Sequence, residues 1–193
     1  STNSPTLIRS IHERFAERGV EVMDAPVSGG VVGATAGTLA VMVGGDAARY
    51  EQIKPVLDSI GDKVSYIGGI GSGMVAKLVH NMTSVCSRMA IAEGMTLAVK
   101  AGVDPYVMQR VLQDGAFGQG HFLNHRLVDT VFAENWDPPS FALRLSRKDL
   151  GLATQLGREM QVPMAHAAVS EQEMIAALER GWGDLDSNIF FRL

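Results

Sequence analysis

Cysteine is nearly absent. The chain has 193 residues and one thiol, Cys86, which excludes an internal disulfide framework and any zinc site built on thiolates. Lysine is scarce too, at five of the seventeen cations, and the formal charge is −4. That balance offers no basic patch of the kind nucleic acid requires. No apolar run approaches the roughly 18 residues of a membrane span, and no signal peptide is visible, which predicts a soluble, cytoplasmic protein with no membrane partner. What is present is ordinary for a globular chain: 46% apolar and 20% charged residues, in a length suited to one large domain or two small ones.

The opening Ser1-Thr-Asn-Ser-Pro5 has no initiator methionine and runs straight into structure, which predicts a fragment or a chain whose earlier part was removed. Leu7, Ile8, Ile11 and Phe15 share one face of a helix predicted over 6–18. Val20-Glu-Val-Met-Asp24 reads as a short strand, followed by a glycine-rich loop and strands over 38–43 and 63–67. Asp46 is the predicted N-cap of a helix reaching about residue 60. From about 72 to 100 the helical pattern continues for roughly 28 residues, around 40 Å at 1.5 Å per residue. Asp104-Pro105 restarts a helix at the N-cap and N1 positions, and further helices are predicted near 121–134, 141–160 and 164–180. The predicted fold class is therefore α/β followed by all-α: a partial Rossmann-type sheet, residues 1–70, joined by a long helix to a helical C-terminal domain, residues 71–193. A helix of that length exceeds what a small domain can cover. It predicts packing across another domain or a second subunit, and hence a homodimer or higher homo-oligomer.

Two segments carry the chemistry. Lys77 lies inside the apolar stretch Met74-Val-Ala-Lys-Leu-Val79, and Asn81 at i+4 projects from the same helical face. An ammonium there must reach water or line a site. In a site it would exchange a proton with a carbonyl or alcohol oxygen; otherwise Lys77, Asn81, Ser84 and Arg88 form a solvated stripe. In Asp24-Ala-Pro-Val-Ser-Gly-Gly30, a hydroxyl at Ser28 precedes bare backbone at Gly29 and Gly30, a combination able to capture a carboxylate. A turn needing positive φ would explain the glycines but not Ser28. Gly71-Ser-Gly-Met-Val-Ala76 matches the dinucleotide fingerprint, yet its helix runs on where a short crossover and an acidic strand end are required, so it is rejected as a pyrophosphate site. No other stretch offers that fingerprint. His121 and His125 have metal-ligand spacing without a third ligand, so no metal is predicted. Cys86 reads as a packed thiol, Phe141 as a core aromatic in preference to a wall of the site, and Met74, Met82, Met89 and Met95 as core or interface filler.

The ordered motifs Asp-Ala-Pro-Val-Ser-Gly-Gly at 24–30, Gly-Ser-Gly-x-x-x-Lys-x-x-x-Asn at 71–81 and Arg-Lys-Asp-Leu-Gly-Leu-Ala at 147–153 together resemble the 3-hydroxyisobutyrate dehydrogenase (β-hydroxyacid dehydrogenase) family. The likeness extends to the tail Gly181-Trp-Gly-Asp-Leu-Asp-Ser187; the family's opening Rossmann segment with its phosphate loop has no counterpart in this sequence. The resemblance implies an oxidoreductase using NAD or NADP on a small carboxylate substrate. It casts Lys77 as the catalytic lysine, with Ser28, Gly29, Gly30 and Asn81 binding substrate. Thr2 and Lys148 would contact the cofactor, Lys148 near the nicotinamide end. The alternatives are a catalytically inert substrate-domain and dimerisation fragment, or a reductase-like scaffold that binds partners.

Overall fold

The structure is a computed structural model and describes residues 2–193; Ser1 lies outside them. The chain divides into two compact units, Ser1–Cys86 and Ser87–Leu193.

In the first unit, helix α1 (Pro5–Ala16) starts with proline at its first turn and ends before Gly19. Strands β1 (Val27–Ser28), β2 (Ala40–Gly44) and β3 (Lys63–Gly68) form one sheet in that order, β1 antiparallel and β3 parallel to β2. The parallel pair is joined by α3 (Ala47–Leu57), whose N-cap Asp46 accepts from Arg49 N at 2.9 Å. Val41 and Val43 are fully buried beneath Leu39 and Tyr50.

One strand is displaced from its expected position. Residues 20–24 do not form it: pairing with β2 begins only at Asp24, which bridges Gly44, and continues through Pro26 O, Val27 and Ser28. Alternation of Val20 and Val22 suggested the earlier segment, but proline is tolerated on an edge strand when only its carbonyl is needed. Pro26 O accepts from Met42 N at 3.0 Å. The glycine-rich loop also holds a short helix, α2 (Gly30–Ala36), closed by Gly37 in the left-handed region at φ 69°.

Helix α4 (Ser72–Lys100) is continuous for 29 residues. It leaves Val75, Leu78, Met82, Val85 and Met89 exposed at alternating spacings of three and four, and Cys86 is exposed as well. The thiol is thus not packed, because the apolar helical pattern around it marks an unpartnered face rather than a core. Of the methionines, Met74 is buried whereas Met82 and Met89 are not.

The second unit continues with α5 (Pro105–Asp114), where Asp104 Oδ1 accepts from Tyr106 N and Val107 N as a regular N-cap. A π-helix, Phe122–Phe132, occupies the region expected as an ordinary helix; Ala133 N donates to Val128 O, five residues back. Helices α6 (Leu143–Glu159) and α7 (Ala165–Glu179) and a terminal 3₁₀ turn (Ser187–Arg192) pack around Trp136, Leu143, Ala177 and Ile189. Phe141 is 42% exposed, not a core aromatic. Among the described residues no helix is long and apolar enough to cross a membrane.

Two carboxylates fasten this unit. Desolvation pushes Glu93 upward, but bonds from His166 N, His166 Nδ1 and Ala167 N outweigh it and hold it below its ordinary 4.5. Asp186 follows the same logic: burial raises it, while Asn188 N and the Oγ and N of Ser140 bring it below 3.8. A carboxylate depressed in the folded state stabilises fully above its unfolded pKa and loses that contribution as pH falls through the folded value. Asp186→Asn should therefore unfold with a shallower dependence on pH below about 4 than the unaltered protein. Urea titrations across that range read this directly; parallel slopes would contradict it.

Candidate functional site

The site begins with how α4 is held. Asp24 is 2% exposed, and its carboxylate lies across the start of α4: Oδ1 accepts from Gly71 N at 2.7 Å and Oδ2 from Met74 N at 2.6 Å. Such charge-assisted bonds are stronger than neutral ones, and a helix N-terminus favours a negative group. The approach is close enough to require glycine twice. A Cβ on Gly44 would run into Asp24 Oδ1 and stand 2.8 Å from Gly73 N. One on Gly73 would run into Met42 O and stand 2.9 Å from Asp24 Oδ2.

One turn beyond Met74, Lys77 is 8% exposed and lines a cleft of about 480 Å³. Asn81, Ser28, Gly29, Gly30 and Thr2 share that lining with apolar Val27, Val31, Ala34 and Leu39. Six of the seven residues singled out in the sequence thus meet in one space. No carboxylate pairs with Lys77 among the described residues. The Asn81 Oδ1 atom is 3.2 Å from His80 Nδ1. Gly29 and Gly30 adopt φ 138° and 61°, a run of left-handed backbone that an L side chain would resist. A Cβ at Gly29 would also stand 2.9 Å from Leu39 Cδ2, whereas at Gly30 there is open space. Bare backbone therefore faces the cleft at this turn.

The seventh residue, Lys148, belongs to the second unit, on α6, where its ammonium is 2.9 Å from Asp149 Oδ1 and largely exposed. Its neighbours in the 147–153 motif, and Thr154 just after it, serve packing. Arg147 Nη2 donates to Glu171 Oε1 at 2.8 Å, Thr154 Oγ1 donates to Glu171 Oε2 at 2.9 Å, and a Cβ on Gly151 would stand 3.0 Å from Glu171 Oε1. His121 and His125 contact each other ring to ring, with centroids 5.1 Å apart.

The residue that sequence reasoning passed over is Asp24. It stands in the 24–30 motif, but nothing local marks it, because its partners are 47 and 50 residues away. Its position also bears on cofactor fit. The cleft, at about 480 Å³, has the volume of a small-molecule site. The start of α4 does not suit a pyrophosphate, since Gly71 N and Met74 N already donate to the Asp24 carboxylate and Ser72 N to Gly69 O.

Comparison with known proteins places these observations. Residues 71–193 match the family described as NAD-binding of NADP-dependent 3-hydroxyisobutyrate dehydrogenase, and residues 1–68 match the NAD binding domain of 6-phosphogluconate dehydrogenase. NAD or NADP is thus the cofactor of the fold. The chain is 34% identical over its whole length to 2-(hydroxymethyl)glutarate dehydrogenase of Eubacterium barkeri, covering 64% of that protein. It is 32% identical to the mitochondrial 3-hydroxyisobutyrate dehydrogenase of Drosophila melanogaster, again over all of the chain and 61% of the relative. The chain thus spans less than two thirds of either relative. A crystal structure of a putative oxidoreductase from Mycobacterium avium superposes with a TM-score of 0.72 at 31% identity, covering 91% of this chain and 65% of that one.

The filled N-terminus of α4 has a direct consequence. Millimolar inorganic pyrophosphate should leave the amide resonances of Gly71 and Met74 unmoved in a ¹⁵N-resolved NMR titration. Saturable shifts at those two amides would show that Asp24 does not seal them.

Proposed function

Because the chain belongs to the 3-hydroxyisobutyrate dehydrogenase family, we propose that it acts in an NAD(P)-dependent oxidoreductase interconverting a small β-hydroxy acid and its semialdehyde or keto form. The observation that carries this reading is the single cleft lined by a buried ammonium, a carboxamide one turn away and a bare-backbone turn beside a hydroxyl. When bound, the cofactor supplies or accepts the hydride at the carbinol carbon.

The chain's own residues do the rest. The Ser28 hydroxyl and the backbone amides of the Gly29–Gly30 turn receive the substrate carboxylate, as successive N–H groups in left-handed turns suit an anion. Lys77 donates a proton to the carbonyl oxygen as it becomes the alcohol oxygen, and takes one back in the oxidative direction. Asn81 lies on the same helical face and holds the substrate oxygen in reach of that ammonium. Thr2, on the cleft lining, and Lys148 are the groups we assign to the cofactor, Lys148 near its nicotinamide end. Residues 1–70 act as the closing part of a Rossmann-like cofactor domain and 71–193 as the substrate and dimerisation domain. The apolar stripe exposed along α4 is the face we assign to a second copy in a homodimer or larger assembly.

Lys77→Ala should lower turnover by about 100-fold or more while leaving cofactor affinity nearly unchanged. Steady-state rates with a panel of short β-hydroxy acids, paired with NADH binding, measure both. Retention of more than about a tenth of the rate would remove the lysine from the proton-transfer role.

A second reading is favoured by the sealed amides at Gly71 and Met74: the chain holds substrate and self-associates but turns nothing over alone. Nicotinamide fluorescence separates the two. A saturable enhancement on titrating this chain with NADH or NADPH is expected of the enzyme; a flat titration supports the second reading.

A further inference from the structure

We propose that Asp24 is a positioning residue for the reaction, setting Lys77 in the cleft by holding the first turn of α4; this rests on the function proposed above. Asp24 works through two independent sets of bonds. Its backbone belongs to the sheet: Asp24 N donates to Gly44 O at 2.9 Å and Gly44 N to Asp24 O at 2.7 Å. Its side chain belongs to the helix, through Gly71 N and Met74 N. One residue thereby sets two parts of the cleft in register. Four positions toward the C-terminus, the same segment reaches Ser28 and the Gly29–Gly30 turn; three positions beyond Met74, α4 presents Lys77.

The carboxylate is suited to that task in a way an amide is not. Both of its oxygens face N–H donors, and an ionised carboxylate accepts at each. Asparagine in the same pocket would turn an N–H₂ toward one of those donors and remove the charge from the helix N-terminus. The pocket has no slack with which to absorb the change, because Gly44 and Gly73 already lie against the carboxylate. The first turn of α4 must therefore shift. The Ser28 turn keeps its own tether, since Pro26 O to Met42 N and the Val27–Val41 pairing involve only backbone.

That division predicts a split in the kinetics. Asp24→Asn should lower kcat by about 30- to 100-fold, the cost of a misplacement on the order of 1 Å at the reacting group. The KM for the hydroxy acid should stay within about threefold, because carboxylate capture is held by the backbone. A merely structural loss would reduce the amount of active protein while leaving kcat per active site alone, so sites are counted by titration with a tight-binding nicotinamide ligand. A wild-type kcat per site, or a loss that falls on KM instead, overturns the proposal. If Asp24→Asn does not fold, amide hydrogen exchange in the unaltered protein decides: protection at Gly71 and Met74 matching that of β2 supports it, and exchange at the rate of exposed turns overturns it. Failure here is distinct from failure of the proposed function, which would show as an active Lys77→Ala enzyme whatever Asp24→Asn does.

Discussion

A carboxylate with almost no exposure to water, set across the first turn of a helix, is the constraint from which the rest of the first unit follows. Removing Asp24 from solvent costs several kcal/mol unless its oxygens are met. They are met by two backbone donors from one turn of α4, with the helix dipole adding to the attraction. This arrangement can form only if backbone comes unusually close on both sides, which accounts for glycine at 44 and 73. The sheet edge, the helix start and the turn after β1 are consequently fixed relative to one another without a large core. That core, built on Leu39, Val41, Val43 and Tyr50, is small for the task.

What the sequence discloses of the candidate site is local: which side chains share a helical face and which backbone follows a strand. Helical spacing puts Lys77 and Asn81 on one face, and a hydroxyl before bare backbone marks Ser28, Gly29 and Gly30, whereas the roles proposed for them come from the family resemblance. The caps at Asp46 and Asp104 were visible for the same reason: a capping side chain bonds an amide two or three residues away. The misplaced strand shows the limit of that logic. Val20 and Val22 alternate as a strand should, but strand pairing is a long-range choice, and β2 pairs instead with 24–28. Asp24 was hidden for a related reason, since its two partners are distant in sequence. Nor could periodicity alone separate a π-helical segment from an α-helix over 122–132.

Apolar patterning was informative in a different sense. Along α4 it marks residues that prefer to leave water, yet Val75, Leu78, Met82, Val85 and Met89 remain exposed in the single chain. The spacing of three and four that concealed Cys86 among presumed core positions is also the spacing by which helices meet other helices. The 147–153 motif divides likewise: Arg147 and Gly151 serve the packing around Glu171, while Lys148 is exposed and paired with Asp149.

The proposed chemistry depends on the amine at position 77 carrying the proton. Chemical rescue tests it most directly. Small alkylamines added to the Lys77→Ala protein should restore turnover, in proportion to amine concentration and with a rate that varies systematically with amine basicity. Rescue that ignores basicity, or none from any amine small enough for a space of about 480 Å³, would contradict it.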